Sequence, residues 1–349
     1  MAYGGLLAGR NALYDKKFIS SYRPIQRCIA VGNLTVGGTG KTPAVEYLLR
    51  QLLTLDTALT GTIGTLSRGY GRQTRGFRIA TPADTAATLG DEPLQLYRNF
   101  SPAVCVTVGE RRADALRQLA AIRPDVQTVV LDDAYQHRAV TPHLNLLLSD
   151  YTRPFYADDP FPGGRLRENR SGANRADAII VTKCPHAPTD AERTWITAQI
   201  RRYARADVPV LFAGLAYDVP RQLTDDRAVT VSGPVRMVSG LANAGPLVRY
   251  VTDTWGLVQH DEFGDHHAYT SAELARLLAT TPPGTWLLTT QKDAVKLGPL
   301  LAAADLPTRQ LAYLPVRMVF FQEADANQLA RLVGDCLAKR PTRPDLKNR

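Results

Sequence analysis

Val31–Thr42 reads VGNLTVGGTGKT, a short apolar run from Cys28 that breaks into glycines and ends in Gly-Lys-Thr. Strand, glycine loop and Lys-Thr at a helix start form the arrangement that cradles a polyphosphate. Gly37, Gly38 and Gly40 let the backbone turn until successive N–H groups point inward. Lys41 then has the reach of β and γ phosphates, and the Thr42 hydroxyl suits Mg²⁺. Downstream, Val45, Leu48, Leu49, Leu52 and Leu53 recur at helical spacing, so a helix N-terminus adds its dipole at the anion. Pro43 falls in the first turn, where a missing N–H costs nothing. Thr35, Val36, Gly37, Gly38, Thr39, Gly40, Lys41 and Thr42 are therefore the candidate nucleotide-binding residues. The strict pattern asks for glycine at position 35, where this chain has Thr35. A glycine-rich loop before an ordinary helix is the plain alternative.

The 349 residues exceed one ordinary core and suit two domains. A hydrophobic fraction of 44% is that of a globular chain. Cys28, Cys105, Cys184 and Cys336 stand far apart with no C-x-x-C pair, which argues for a reducing compartment and against a zinc framework. The net charge of +9 implies an anionic partner: nucleotide, nucleic acid or acidic lipid. No run approaches the ~18 apolar residues of a spanning helix. Residues 1–27 mix Arg10, Lys16, Lys17, Arg23 and Arg27 with Leu6, Leu7, Leu13, Tyr14 and Phe18. That pattern suits an amphipathic segment on an anionic membrane surface, or a helix packed on its own domain with a solvated basic face.

Strands are expected at Gly61–Leu66, Ala103–Val106, Leu144–Leu148, Ala178–Thr182 and Val210–Tyr217, with helices at Leu94–Asn99 and Glu110–Ala121. Ser67–Arg72, SRGYGR, sets two arginines in a glycine loop, a form suited to phosphate oxygens. Gly90–Pro93, GDEP, puts Asp91 and Glu92 at a helix start, where acids also serve as caps. Thr128–Asp133 runs from apolar residues into Asp132 and Asp133, and one of them is suited to Mg²⁺ beside the phosphate loop. Gln136, His137 and Arg138 follow at the carboxyl end of that strand, where α/β sheets bind ligands. Asp158–Arg170 is a Pro/Gly loop carrying Arg165, Arg167 and Glu168.

Thr182–Pro185 is similar to a guanine-reading loop, but Pro185 replaces its aspartate, which disfavours guanine. Thr189 with Glu192 makes a capping box that opens a helix to about Arg205. A stretch rich in Pro, Asp and Arg, 216–231, links to a second alternating unit at 232–313. That unit holds strands Arg236–Val238 and Trp286–Thr290, helices Pro246–Trp255 and Lys292–Leu297, and a second box at Thr270 and Glu273. Residues 314–349 return as strand, helix and basic tail. The expected architecture is a P-loop NTPase-type parallel sheet spanning 28–215, helices on both faces, plus this smaller α/β domain. Asp265-His266-His267 invites a metal reading, but its further Asp/His motifs are absent. A polar turn ahead of Thr270 is the alternative.

Together these motifs resemble the tetraacyldisaccharide 4′-kinase family, the lipid A 4′-kinases of Gram-negative bacteria. The matching stretches are NALYD (Asn11–Asp15), GNLTVGGTGKTP (Gly32–Pro43), SRGYG (Ser67–Gly71), GDEP (Gly90–Pro93), DDAYQH (Asp132–His137), RLRE (Arg165–Glu168), SGLAN (Ser239–Asn243), DHH (Asp265–His267) and TTQKDAVK (Thr289–Lys296). The family also has threonine at position 35. Ala134 and Tyr135 depart from its usual Gly-Phe, Ala244 from its usual proline, and the N-terminal apolar segment is short.

The resemblance implies transfer of phosphate from ATP, with Mg²⁺, to the 4′-hydroxyl of an acylated glucosamine disaccharide 1-phosphate, on the cytoplasmic face of the inner membrane. It implies Asp91 as general base paired with His266, a preference over His267 that the family alone supplies. Lys41 and Thr42 hold ATP and Mg²⁺, with Glu92 and Asp132 or Asp133 completing the metal shell. Arg72, Arg111, His137, Arg167 and Glu168 are candidates for the sugar and its 1-phosphate. No nucleic acid or obligate protein partner is expected. The rival classes are a nucleotide-driven switch or chaperone and a nucleic-acid-binding ATPase; the latter lacks basic stripes interleaved with aromatics.

Overall fold

The computed structural model describes residues 9–11, 13–55, 57–304 and 310–338. Its first eight strands are β1 (Arg27–Asn33), β2 (Thr62–Ser67), β3 (Arg78–Ile79), β4 (Val104–Val108), β5 (Val126–Leu131), β6 (Leu144–Asp150), β7 (Ala178–Thr182) and β8 (Val210–Tyr217). The others are β9 (Arg221–Gln222), β10 (Val235–Ser239), β11 (Leu257–Glu262), β12 (Trp286–Thr290), β13 (Leu311–Leu314) and β14 (Val316–Phe320). They form a nine-stranded sheet, ordered β14-β8-β7-β6-β1-β5-β2-β4-β3, and a five-stranded one, ordered β11-β10-β12-β13-β9. The long helices are α1 (Lys41–Leu53), α2 (Asp91–Phe100), α3 (Arg112–Ile122), α4 (Asp190–Arg201), α5 (Gly245–Trp255), α6 (Ser271–Thr280), α7 (Gln291–Ala304) and α8 (Glu323–Ala338).

Within the larger sheet only the edge strands β3 and β14 run antiparallel to their neighbours. The inner strands are covered on both faces, so they read as unbroken apolar runs rather than alternating ones. Ile29 and Val31 of β1 pack in one core with Val45, Leu48, Leu49 and Leu52 of α1 and Leu329 and Val333 of α8. Cys28 and Ala30 face the opposite side, against Leu116 and Leu119 of α3. Because the strands are parallel, the carboxyl ends of β1, β2, β4, β5, β6 and β7 share one edge, which is where the candidate residues collect.

The chain passes between lobes twice. It leaves the larger sheet after β8, builds the smaller one, and returns through β14, which pairs with β8 from Val316↔Tyr217 to Phe320↔Ala213. Helix α8 then docks through Asp325, which takes Arg193 of α4 at 2.8 and 2.7 Å and the Phe212 amide at 3.1 Å.

Several elements differ from the sequence-based expectation. Helix α2 begins at Asp91 rather than Leu94, so both acids lie in its first turn. Helix α4 ends at Arg201 instead of Arg205. Strand β8 matches its expected bounds, but the stretch that follows is partly sheet: Arg221 of β9 pairs with Tyr313, whose hydroxyl donates to Asp226. Strand β11, LVQHDE, is polar because it lies on an edge, with none of its residues fully buried. Among the described residues no helix is long and apolar enough to cross a membrane. Tyr3, Leu6 and Leu7 of the N-terminal segment lie outside the described residues.

Candidate active site

The phosphate loop leaves β1 at Asn33, whose side-chain amide donates to the Thr35 carbonyl at 2.7 Å and to its hydroxyl at 3.2 Å. The loop's left-handed residues are Gly37 and Gly40, with φ of 107° and 81°. Thr35 is not among them, so the position where the strict motif has glycine needs none here. Gly40 caps α1 without any side-chain hydrogen bond, leaving the first-turn amides free for an anion. The loop is braced from outside. Val36 N–H donates to the Arg165 carbonyl at 2.8 Å, and the Thr182 hydroxyl to the Thr39 carbonyl at 2.8 Å. Lys183 bonds the Gly38 carbonyl and, at 2.9 Å, Asp150.

The two aspartates at the end of β5 are separated by environment. Asp133, left-handed with φ of 47°, is 3.6 Å from Lys41 Nζ and takes the Arg167 guanidinium at 2.9 Å. Burial alone pushes its carboxyl up, but Lys41 and Arg167 outweigh that and hold it below the usual range. Asp132 is buried; Ser67 reaches its Oδ2 at 3.4 Å and its Oδ1 has no partner. Burial, then the charges of Glu92 and Asp133, push it up to about 7 against the pull of Lys41 and Arg112. Asp132 is thus the carboxylate with an unused buried oxygen beside the loop lysine. Among the described residues no three His, Cys, Asp or Glu side chains form a cage for a cation. Mg²⁺ is held by one or two carboxylates with waters and phosphate oxygens, and the unpartnered Asp132 Oδ1 offers one such oxygen.

Asp91 opens α2 after Gly90, whose φ of 94° lets the backbone pass the Tyr70 carbonyl, which a Cβ would meet at 2.8 Å. Its Oδ2 is shared between lobes: His266 Nδ1 lies at 3.2 Å and Lys296 Nζ at 3.1 Å. Burial raises the Asp91 carboxyl, but the His266 hydrogen bond and the Lys296 charge outweigh it and leave the group lowered. Lys296 is itself held 3.2 Å from Asp293, which takes the Gly240 amide at 2.9 Å and the Thr290 hydroxyl at 2.7 Å. His266, left-handed with φ of 60°, meets Lys292 at Nε2 at 3.3 Å and stacks at a tilt on Tyr70, centroids 5.1 Å apart. His267 turns away to Glu273 at 3.2 Å. Geometry therefore separates two histidines that the residues alone left equivalent.

The candidates for the sugar and its 1-phosphate scatter. Arg167 and His137 lie near the aspartates; burial, then the Arg112 charge, lowers His137 to about 4, so it is neutral at pH 7. Arg72 is committed to Glu110 at 2.5 Å, and Arg111 points to solvent against Asp114 at 2.8 Å. Glu168 is fully buried in its own pairings: Asn11 at 2.9 Å, Gln136 at 2.9 Å and Arg175 at 2.8 Å. With Asp15 on Arg138 at 2.7 Å, it ties the N-terminal segment to the large lobe. Lys292, Lys296 and Lys183 were assigned no role from sequence. Two lie in TTQKDAVK, where the spacing Lys292–Lys296 sets both on one helix face.

The chain matches the family model described as tetraacyldisaccharide-1-P 4′-kinase over residues 1–333. It is 38% identical over 338 residues to a tetraacyldisaccharide 4′-kinase of Cytophaga hutchinsonii, covering 95% of this chain and 92% of that protein. A namesake from Bacteroides thetaiotaomicron is 33% identical over 311 residues, covering 84% and 80%. Among solved structures, the LpxK of Aquifex aeolicus in complex with ATP superposes with a TM-score of 0.74 at 25% identity, covering 96% of each chain. Two lobes meeting at Asp91, a phosphate loop with Thr35 in place of glycine, and a match that runs nearly end to end agree: this chain belongs to the tetraacyldisaccharide-1-P 4′-kinase family.

Proposed function

We propose a division of labour between the lobes in transferring phosphate from ATP to the 4′-hydroxyl of an acylated glucosamine disaccharide 1-phosphate. The large lobe holds the donor. Loop amides from Thr35 to Thr42 and the Lys41 ammonium receive the β and γ phosphates, while Asp133 keeps Lys41 and Arg167 aimed at them. Thr42, Asp132 and Glu92 would hold Mg²⁺, which when bound neutralises charge on the transferring group.

Asp91 acts as the general base. His266 and Lys296 both engage its Oδ2, which leaves Oδ1 for the acceptor hydroxyl. As the O4′ oxygen bonds to the γ phosphorus and ADP departs, the hydroxyl proton passes to Asp91. Supporting the reading above all is the order of the first turn of α2: Asp91 joins the second lobe while the charge of its neighbour Glu92 acts on Asp132 beside Lys41. The test is transfer from γ-labelled ATP with and without the acylated disaccharide, in wild type and Asp91→Ala. Label should reach the lipid at full rate only with wild type and about 10²–10⁴-fold more slowly with Asp91→Ala; turnover indifferent to lipid would favour a nucleotide switch.

Peripheral attachment to the cytoplasmic face of the inner membrane is part of the same reading. Leu13, Phe18 and Ile19 stand exposed beside Lys16 and Lys17, an apolar and basic pair of features suited to anionic lipid. Flotation with phosphatidylglycerol vesicles should carry the protein, phosphatidylcholine vesicles should carry less, and Phe18→Ser should weaken both. Equal binding to the two lipids would remove the electrostatic part.

A further inference from the structure

Helix α2 bears Asp91 at its first turn, and its opposite end is gripped by contacts the chemistry above does not use. Glu46, on α1 within the turn after Lys41 and Thr42, is 1% exposed. Its Oε1 accepts from Gln95 Nε2 at 2.9 Å and Asn99 Nδ2 at 2.7 Å, both on α2, and its Oε2 accepts from Arg50 at 3.1 Å. Asn99 Oδ1 in turn accepts from Gln291 Nε2 at 2.9 Å, the first residue of α7 in the other lobe. One carboxylate thus ties together the helix behind the phosphate loop, the helix of the base, and the helix that carries Lys292 and Lys296.

The helix pair runs antiparallel. Gln291 at the head of α7 meets the tail of α2, and Lys296 one turn further on meets Asp91 at its head. Between them Val295 fills a small apolar cluster with Leu89, Leu94 and Val108. A buried carboxylate is a poor stabiliser, because desolvation offsets what its partners return. Here burial pushes the Glu46 carboxyl up despite its amide partners. An apolar side chain beside Val45, Leu48 and Leu49 would fill the same core. What the carboxylate adds is register, since amide donors fix α2 at one rotation and one height where apolar contacts would let it slide.

We propose that Glu46 is a positioning residue for phosphoryl transfer: through Gln95, Asn99 and Gln291 it clamps the base helix at a fixed setting against the phosphate-loop helix and seats the second lobe on both. The clamp rests on the reading of Asp91 as base. A shift of ~1 Å at a reacting group costs roughly 10²-fold in rate, so loosening one bond of the clamp is expected to cost about tenfold.

The test uses Asn99→Ala and Gln291→Ala, which are joined by the 2.9 Å bond and touch neither Asp91 nor the phosphate loop; Asn99→Ala also releases Glu46, and Gln291→Ala also gives up the 3.5 Å contact from Gln95 Nε2. Transfer from γ-labelled ATP to the tetraacyldisaccharide 1-phosphate is measured with the full chain, alongside ATP binding by equilibrium dialysis and thermal melting. Each variant should lose about tenfold in kcat with ATP Kd within about twofold of wild type. The double variant should be no slower than the slower single one. Glu46→Leu, of nearly the same volume but with neither acceptor oxygen, should lose at least as much. The clamp is overturned if both single variants turn over within about twofold of wild type, if ATP affinity falls in proportion to kcat, or if the two losses multiply. Asp91→Asn run in parallel separates the failures. Normal sensitivity there with none at Asn99 and Gln291 sinks the clamp alone, whereas retained turnover in Asp91→Asn sinks the base and the clamp with it.

Discussion

Thr35–Thr42 builds the phosphate loop from consecutive residues, whereas Asp91 draws its partners His266 and Lys296 from the other lobe, 175 or more positions along the chain. The first is a local device: glycine geometry, a helix start and one lysine make an anion site wherever they occur together. The second exists only while two separately cored lobes stay in register. The loop should therefore fail by losing nucleotide, and the composite centre by losing turnover while nucleotide still binds.

The largest expected effect sharpens that contrast. Asp91→Ala should lower kcat by about 10²–10⁴ with ATP affinity nearly intact, as read by single-turnover transfer and nucleotide titration. A parallel collapse of ATP binding would dissolve the distinction. Next, Lys41→Met should lower turnover roughly 10²–10³-fold and weaken ATP binding with it; a pure kcat effect would put the lysine in the other class.

A smaller effect follows from Asp132, which burial and its acidic neighbours push up to about 7. It must give up a proton to take a cation, so Mg²⁺ affinity is full above that value and falls by up to about tenfold per pH unit below it. Titrations between about pH 8 and pH 6 should show this in wild type and not in Asp132→Asn. A flat wild-type response would move the cation to other groups. Smallest is a control outside both regions. Thr189 caps α4, accepting from the Glu192 amide at 3.3 Å, and Thr189→Ala should cost about 1 kcal/mol in denaturant unfolding while leaving transfer unchanged. A loss of activity there would mean that stability, rather than geometry, limits the enzyme.

The same contrast explains what the sequence made legible. The loop, the helix behind it, the core strands and both capping boxes are local patterns, and each could be read from a dozen residues. Asp132 and Asp133 were visible as a pair, but which of them is free depends on Arg167, far away in sequence, having taken one. Arg72 and Glu168 looked like charges available to a ligand because the sequence does not show which partners the fold brings to them. The fold supplies Glu110 to the first and Asn11, Gln136 and Arg175 to the second. Lys296 was hidden for the opposite reason, since a lysine on an ordinary helix gives no sign that its ammonium is buried between two aspartates.

The double crossing between lobes sets the order of assembly. β14 and α8 follow the second lobe in the chain, yet they finish the lobe that was begun first: Phe320 packs edge-on against Tyr47 behind the phosphate loop, and Leu329 and Val333 seal the core under β1. Until they arrive, β8 lacks its antiparallel neighbour and the apolar face under β1 is uncovered. A protease cut or premature stop after the second lobe would therefore spare Lys41, Asp91, Asp132 and His266 and still leave a protein unable to bring them together.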